Sequence, residues 1–170
     1  MRIDHYHNVY FIGIGGIGMS ALARWFNVNG FQVAGYDRVP STITEALIEE
    51  GISVHYEDDP SLIPDHFTTN ISRLLVIYTP AVPSLHREMT HLKSLGCTLV
   101  KRSQVLGKIT EGMYTVAVAG THGKTTTSSM IAHLLKEGGK DIVAFLGGIS
   151  VNANGNFIAN EGALNQAIAV

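Results

Sequence analysis

The chain has 170 residues, 45% apolar and only 15% charged, with a formal net charge of −2. Such a length suits one domain, or one domain and part of another, and the apolar content supports a buried core rather than disorder. The near-neutral balance and the lack of a basic run argue against a nucleic-acid partner, and no apolar run approaches the ~20 residues that span a bilayer. Cys97 is the only cysteine, which excludes an internal disulfide and makes a reducing, cytoplasmic location the expectation. The polar start MRIDHYHN leads straight into a strand and does not read as a signal segment. The histidines are scattered: His86 and His91 are off a common helical face, and no H-x-x-x-H spacing occurs.

In chain order, residues 8–12 (NVYFI) read as a buried strand running into Gly13-Ile14-Gly15-Gly16-Ile17-Gly18, a G-x-G-x-x-G. A helix over about 19–27 follows, with Leu22, Ala23, Trp25 and Phe26 on its apolar side and Gly30 as terminator. Residues 32–36 form a second strand ending in Asp37, an acid about 20 residues beyond the glycines, as a dinucleotide-type βαβ unit requires. In that reading Gly13 allows the tight turn, Gly15 lets backbone approach a pyrophosphate, and Gly18 lets helix and strand pack closely. Asp37 and Arg38 sit where a ribose or base would lie. The motif alone is weak evidence; it indicates a pyrophosphate without saying whose.

Next, Thr42-Ile43-Thr44-Glu45 reads as a capping box opening a helix that ends at Gly51, followed by a short strand over 52–56. Residues 57–70, acidic and holding Pro60 and Pro64, read as mostly loop. A fourth strand (74–78, LLVIY) ends in the stiff loop Thr79-Pro80-Ala81-Val82-Pro83, which faces the same crevice as the glycines if the strand order is the usual one. A helix over about 84–94, a short strand at 98–100 and a short helix at 104–109 complete the alternation. Strands alternating with helices imply an α/β fold: a Rossmann-like parallel sheet with helices on both faces and ligands at the carboxyl ends of the strands. The boundary falls at Glu111-Gly112, giving domains 1–111 and 112–170.

The second domain opens on YTVAVAGTHGKTTT, residues 114–127. Residues 115–119 read as a strand buried on both faces, and Met130, Ile131, Leu134 and Leu135 as the apolar side of the helix that follows. Strand, glycine loop, Lys-Thr and helix is the order of a phosphate-binding loop, here in the short form G-x-x-G-K-T-T. Gly120 and Gly123 let backbone N–H groups curl around phosphate oxygens, Lys124 reaches the terminal phosphates, and the Thr125 hydroxyl is a ligand for Mg²⁺. One more strand is expected at 142–146. Residues 147–160 are turn-rich and weakly patterned, and a strand begins at 167–170. Two or three elements do not close a P-loop sheet, so the expectation is a fragment cut inside its second domain, one that binds but does not catalyse.

Two phosphate-binding loops in sequential domains suggest kinase or ATP-dependent ligase chemistry. The rivals are an NAD(P)-dependent oxidoreductase, resting on Gly13–Gly18 and Asp37, and a non-enzymatic P-loop module that senses nucleotides. The oxidoreductase reading leaves GTHGKTTT unexplained.

GIGGIGMSALA at 13–23, together with AGTHGKTTT at 119–127, resembles the Mur ligases of bacterial peptidoglycan synthesis, and the resemblance extends from about Asn8 to Asn152. The P-loop form belongs to a wider superfamily that includes folylpolyglutamate synthase; the first glycine loop narrows the likeness. What the resemblance implies is an ATP-dependent amide ligase whose small-molecule substrates are UDP-N-acetylmuramate, L-alanine and ATP. A related ligase that attaches a recycled peptide to the same sugar nucleotide is the alternative. Gly15, Gly16, Ile17, Gly18, Met19 and Ser20 would face the UDP diphosphate, Asp37 and Arg38 the uridine, and Thr79, Pro80, Ala81 and Val82 the remaining edge. Gly120, Thr121, His122, Gly123, Lys124, Thr125 and Thr126 would hold ATP, with Lys124 and Thr125 catalytic and Thr125 on Mg²⁺. The sequence departs from the family at Glu57-Asp58-Asp59, where many members carry Gly-His, and at Gln104, where an acid is common.

Overall fold

A computed structural model of the chain describes residues 2–150, 155–159 and 168–170, with Ser150 and Ile168 described by their backbone alone. The chain divides into two compact units, residues 1–109 and 110–170.

The first unit is a five-stranded, wholly parallel sheet in the order β3-β2-β1-β4-β5. Its strands are β1 (Asn8–Ile12), β2 (Gln32–Tyr36), β3 (Ser53–His55), β4 (Leu74–Tyr78) and β5 (Thr98–Lys101). The helices are α1 (Ile17–Val28), α2 (Thr42–Glu49), the single turn α3 (Asp65–Thr68), α4 (Arg87–Ser94) and α5 (Arg102–Thr110). Residues 57–73, read as loop, also hold 3-10 turns at Pro60–Leu62 and Ile71–Arg73. β1 and β4 lie at the centre, with Val9 to Ile12 and Leu74 to Ile77 fully buried, which is why both read as continuous apolar runs. Side-chain alternation splits the core between the two faces. Tyr10 and Ile12 pack with Tyr36, Phe67, Met89 and Leu92, while Phe11 meets Phe26 of α1 edge-on, ring centroids 6.1 Å apart.

The register levels the strand ends. Ile12 pairs with Tyr36 and Tyr78, Tyr36 with His55, and Tyr78 with Lys101. Every loop that follows a strand therefore starts from one edge, and the winding reverses between β1 and β4, where such sheets bind ligands. The capping box of α2 is real but one residue earlier than the sequence suggests. Ser41 is the cap: its Oγ accepts the Thr44 N–H, and Thr44 Oγ1 accepts the Ser41 N–H at 2.8 Å.

The second unit contains α6 (Lys124–Glu137), β6 (Ile142–Ser150), β7 (Gly155–Ala159) and β8 (Ile168–Ala169), with sheet order β7-β6-β8. Three expectations change here. Residues 115–119 form no regular strand: Thr115 makes one bridge to Ala169, and Thr115, Ala117 and Ala119 are exposed. A central strand needs hydrogen-bonded neighbours on both edges, and among the described residues a two-residue strand is its only partner. The apolar side of α6 is also different. Met130 and Leu134 are 62% and 70% exposed; Leu135 packs against Ile142, Ala144 and Leu146 of β6 as expected, and Ala132, which was not expected, joins it. Part of the turn-rich stretch proves to be strand, since β6 continues to Ser150 and β7 pairs with it antiparallel. Residues 151–154, 160 and 167 of the predicted segments lie outside the described residues.

Candidate functional site

At the carboxyl edge of the first sheet is a pocket of about 670 Å³. The loop after β1 (Gly13, Gly15, Gly16), the end of β2 and the residues after it (Tyr36 to Val39), Ser41, Asp58 and the loop after β4 (Thr79, Ala81 to Pro83, Leu85, His86) line it. Gly13 has φ +88°, which a side chain rarely adopts, and an added Cβ there would meet Thr79 Cγ2 at 3.2 Å. Gly15 is confined from inside the protein. A Cβ would stand 2.8 Å from Asp37 Oδ2 and from Thr44 Cγ2. Asp37 Oδ2 accepts the Gly15 N–H at 2.7 Å, tying the acid that ends β2 to the glycine loop.

The expected diphosphate residues are divided by this geometry. Gly15 and Gly16 line the pocket, whereas Ile17 to Ser20 form the first turn of α1 and are not on its wall. Met19 is buried in the core, and Ser20 is buried with its hydroxyl donating to the carbonyls of Gly16 and Ile17, both at 3.0 Å. A Cβ on Gly18 would lie 2.8 Å from Arg102 Nη1, so the glycine makes room for that side chain. Asp37, Arg38, Thr79, Ala81 and Val82 line the pocket as expected, while Pro80 is exposed and off its wall.

From Asp58 and His86 on the wall a polar cluster runs into the core. The Asp58 carboxylate accepts the N–H groups of Arg87 (2.9 Å) and Glu88 (3.0 Å), capping α4 from a distant loop, and lies 3.1 Å from His86 Nδ1. Tyr10 Oη is 2.7 Å from both Glu88 Oε2 and His55 Nε2. His55 Nδ1 is 3.0 Å from the Glu57 carbonyl, so Nδ1 carries a proton and donates it there. Tyr10 has a single proton for two acceptors. Either a protonated Glu88 donates to Tyr10 while Tyr10 donates to His55, or an imidazolium donates to Tyr10 while Tyr10 donates to the carboxylate. Both arrangements hold the same number of protons. Burial pushes the Glu88 carboxyl up to about 7 and lowers His55, which favours the chain of neutral groups.

In the second unit Gly120 (φ +151°) and Gly123 (φ +77°) shape the loop before α6, and Gly123 caps that helix in the left-handed conformation. Lys124 Nζ donates to the carbonyls of Gly120 (2.6 Å) and Thr121 (3.2 Å), so the ammonium is held inside its own loop. Thr125 packs against β6: a Cβ on Gly147 would meet its Oγ1 at 3.2 Å, and one on Gly148 its Cγ2 at 3.1 Å. Thr121, His122 and Thr126 are exposed.

Residues 8–114 match the family described as "Mur ligase family, catalytic domain", and residues 118–170 match "Mur ligase middle domain". The chain belongs to the Mur ligase family. Among its Mur ligase relatives, it is 54% identical over 163 residues to UDP-N-acetylmuramate–L-alanine ligase of Cytophaga hutchinsonii, covering 95% of this chain and 35% of that protein. A ligase of the same name from Porphyromonas gingivalis is 56% identical over 153 residues, covering 90% and 33%. Among solved Mur ligases, UDP-N-acetylmuramate-alanine ligase MurC from Thermotoga maritima superposes with a TM-score of 0.81 at 32% identity, covering 95% of this chain and 36% of that one. The chain thus spans about a third of the length of the curated relatives it matches.

Sequence reasoning missed Tyr36, Val39, Ser41, Asp58, Leu85 and His86 on this Mur ligase pocket, as well as Arg102 against Gly18. No spacing rule joins Asp58 to His86. The signal that could have found Asp58 is the departure from the family's Gly-His, which places an acid where the loop after β3 reaches the pocket.

Proposed function

We propose that the protein to which this chain belongs joins L-alanine to UDP-N-acetylmuramate with ATP, in peptidoglycan synthesis in the cytoplasm. Residues 1–111 bind the UDP-sugar and residues 112–170 form the first part of the ATP-binding domain. The observation that carries this reading is an identity above 50%, spread over 95% of the chain, to ligases of that name, with both glycine loops inside the matched stretch.

The chemistry follows from what such sites can supply. The γ-phosphoryl group of ATP passes to the lactyl carboxylate, releasing ADP and leaving an acyl phosphate. The amine of L-alanine attacks the acyl carbon, the amide forms, and phosphate and a proton leave. Lys124 neutralises phosphate charge at the donor, and the loop amides after Gly120 bind phosphate oxygens. In the present conformation the Lys124 ammonium is bonded to two carbonyls of its own loop, so phosphate oxygens would replace those acceptors. For Mg²⁺ this stretch offers one oxygen, the Thr125 hydroxyl beside Lys124; the carboxylate that Mg²⁺ usually takes besides phosphates and water is not among residues 120–126. The ion would supply further neutralisation of phosphate charge. In the first unit the diphosphate lies over Gly15 and Gly16, whose N–H groups are bonded to Asp37 Oδ2 and to the Gly13 carbonyl in the present conformation, so phosphate oxygens would replace those acceptors; Asp37, Arg38 and the Thr79–Val82 loop face the nucleoside.

Calorimetry on residues 1–170 with UDP-N-acetylmuramate and with NAD tests the first part: the sugar nucleotide binds and NAD does not. In the complete protein, phosphate release should require L-alanine. Binding of NAD in place of the UDP-sugar would support the oxidoreductase reading instead.

A further inference from the structure

Tyrosine hydroxyls inside proteins find partners, because a buried O–H without one is unfavourable. Two of the tyrosines around this sheet obey that rule. Tyr10 lies 2.7 Å from Glu88 Oε2 and from His55 Nε2, and Tyr56 donates to Thr44 Oγ1 at 3.1 Å. Tyr36 does not. Its side chain is only 8% exposed and packs within the core cluster, yet its hydroxyl has no hydrogen-bond partner among the described residues. Nor is that oxygen sealed off: the described buried polar atoms without a partner are Trp25 Nε1, His86 Nε2 and Glu88 Oε1. Tyr36 lines the pocket, so its hydroxyl opens there.

The ring is held in place by the protein. His86 meets it edge-on with centroids 4.6 Å apart, and His55 lies 5.8 Å away on the other strand. A phenol fixed by aromatic neighbours, with its one polar atom turned to a pocket, is a pre-set hydrogen-bond group for whatever fills that pocket. Burial and the nearby acids Asp58 and Glu88 raise the phenol above its ordinary value, so it keeps its proton and donates.

Resting on the UDP-sugar reading above, we propose that Tyr36 is a direct ligand-binding residue, donating its O–H to a carbonyl of the pyrimidine base. In a sheet of this winding the diphosphate takes the amides at the start of α1 and the ribose takes the acid that ends β2. Gly15, Gly16 and Asp37 fill those roles, and the part of the pocket left for the base has Tyr36 at its back and the apolar Val39 and Leu85 at its rim. A planar base with carbonyl oxygens matches an apolar mouth and a buried donor.

The test is Tyr36→Phe, which keeps the ring and its packing and removes only the oxygen. Its unfolding midpoint without ligand should equal that of the wild type, because no intramolecular hydrogen bond is lost. By calorimetry the variant should bind UDP about 3- to 10-fold more weakly than wild type, the usual effect of one hydrogen bond. Binding of ribose 5-diphosphate, which lacks the base, should be unchanged. Unaltered UDP affinity would overturn the contact, and equal weakening of both ligands would overturn its assignment to the base. A wild-type protein that binds no uridine nucleotide would overturn the UDP-sugar reading itself, whatever Tyr36→Phe does.

Discussion

Replacing Glu88 with glutamine should make the first unit more stable above neutrality and leave it nearly unchanged in acid. Glu88 is fully buried between Tyr10 of β1, His55 of β3, and Asp58, Asp59 and His86 from the adjoining loops. Loss of hydration raises its carboxyl from 4.5 to about 7, against the opposing pull of the Tyr10 hydrogen bond. A rise of that size corresponds to about 3 kcal/mol at ~1.36 kcal/mol per pH unit. The sign is that of an acid more weakly ionised when folded. Below pH 4.5 both folded and unfolded chains hold the proton and nothing is lost. Between 4.5 and about 7 the unfolded chain releases it first, so stability falls as pH rises; above 7 the whole cost is present. His55 and His86, both lowered by burial, act in the opposite direction and weaken the fold as pH falls below 6.5. The difference between variant and wild type removes the share of His86 but not all of that of His55, whose Nε2 lies 3.4 Å from Glu88 Oε1. In Glu88→Gln the amide N–H can donate to Tyr10 and Tyr10 to His55, completing the chain of hydrogen bonds without an extra proton. Trp25, the only tryptophan, is buried in α1, so urea unfolding followed by its fluorescence reports this unit alone. The stability difference should grow from near zero at pH 4.5 to about 3 kcal/mol at pH 8. A difference that stays flat with pH would refute the claim that burial keeps Glu88 protonated.

Gly15→Ala should lower the melting temperature as well as abolish measurable UDP binding, because its Cβ would stand 2.8 Å from Asp37 Oδ2 and Thr44 Cγ2 before any ligand arrives; an unchanged melting curve would show that the loop yields freely. Asp58→Ala removes the acceptor for the Arg87 and Glu88 N–H groups and should cost about 1–2 kcal/mol in the same fluorescence assay, the range of a lost helix cap. Gly123→Ala, at φ +77°, should lower the stability of the second unit by about 1 kcal/mol, read as an earlier unfolding step in the whole chain's far-UV circular dichroism that the Trp25 fluorescence does not follow. In the complete protein Lys124→Ala should remove most turnover while calorimetry finds UDP-sugar binding intact; loss of both would place Lys124 outside the role given to it.

Much of the first unit was legible because its signals are local. Buried central strands show as apolar runs in 8–12 and 74–78, and the glycine that permits φ +88° at Gly13 stands directly after the first. The second unit was read less well. The run 115–119 has the composition of a central strand, but a strand is made by its neighbours, and Thr115 has only the bridge to Ala169. The exposed Met130 and Leu134 show the same dependence: helical periodicity identifies an apolar stripe, while the packing against β6 selects Ala132 and Leu135.

By itself the sequence determined two glycine loops, each between a strand-like run and a helix, and so an α/β chain with two places for phosphate. Those features depend on backbone freedom and on residues adjacent in the chain. Tertiary structure alone decided what surrounds them. Tyr10 and Glu88 are 78 residues apart, Gly15 and Asp37 are 22 apart, and Arg87 takes its cap from Asp58, 29 residues earlier. The level strand ends bring these residues to one edge of the sheet. Burial there then sets which of them ionise, and a half-filled environment around Tyr36 leaves one hydroxyl facing the pocket. Desolvation depends on everything within a few ångströms of a group, and in a parallel sheet those neighbours come from strands far apart in the sequence.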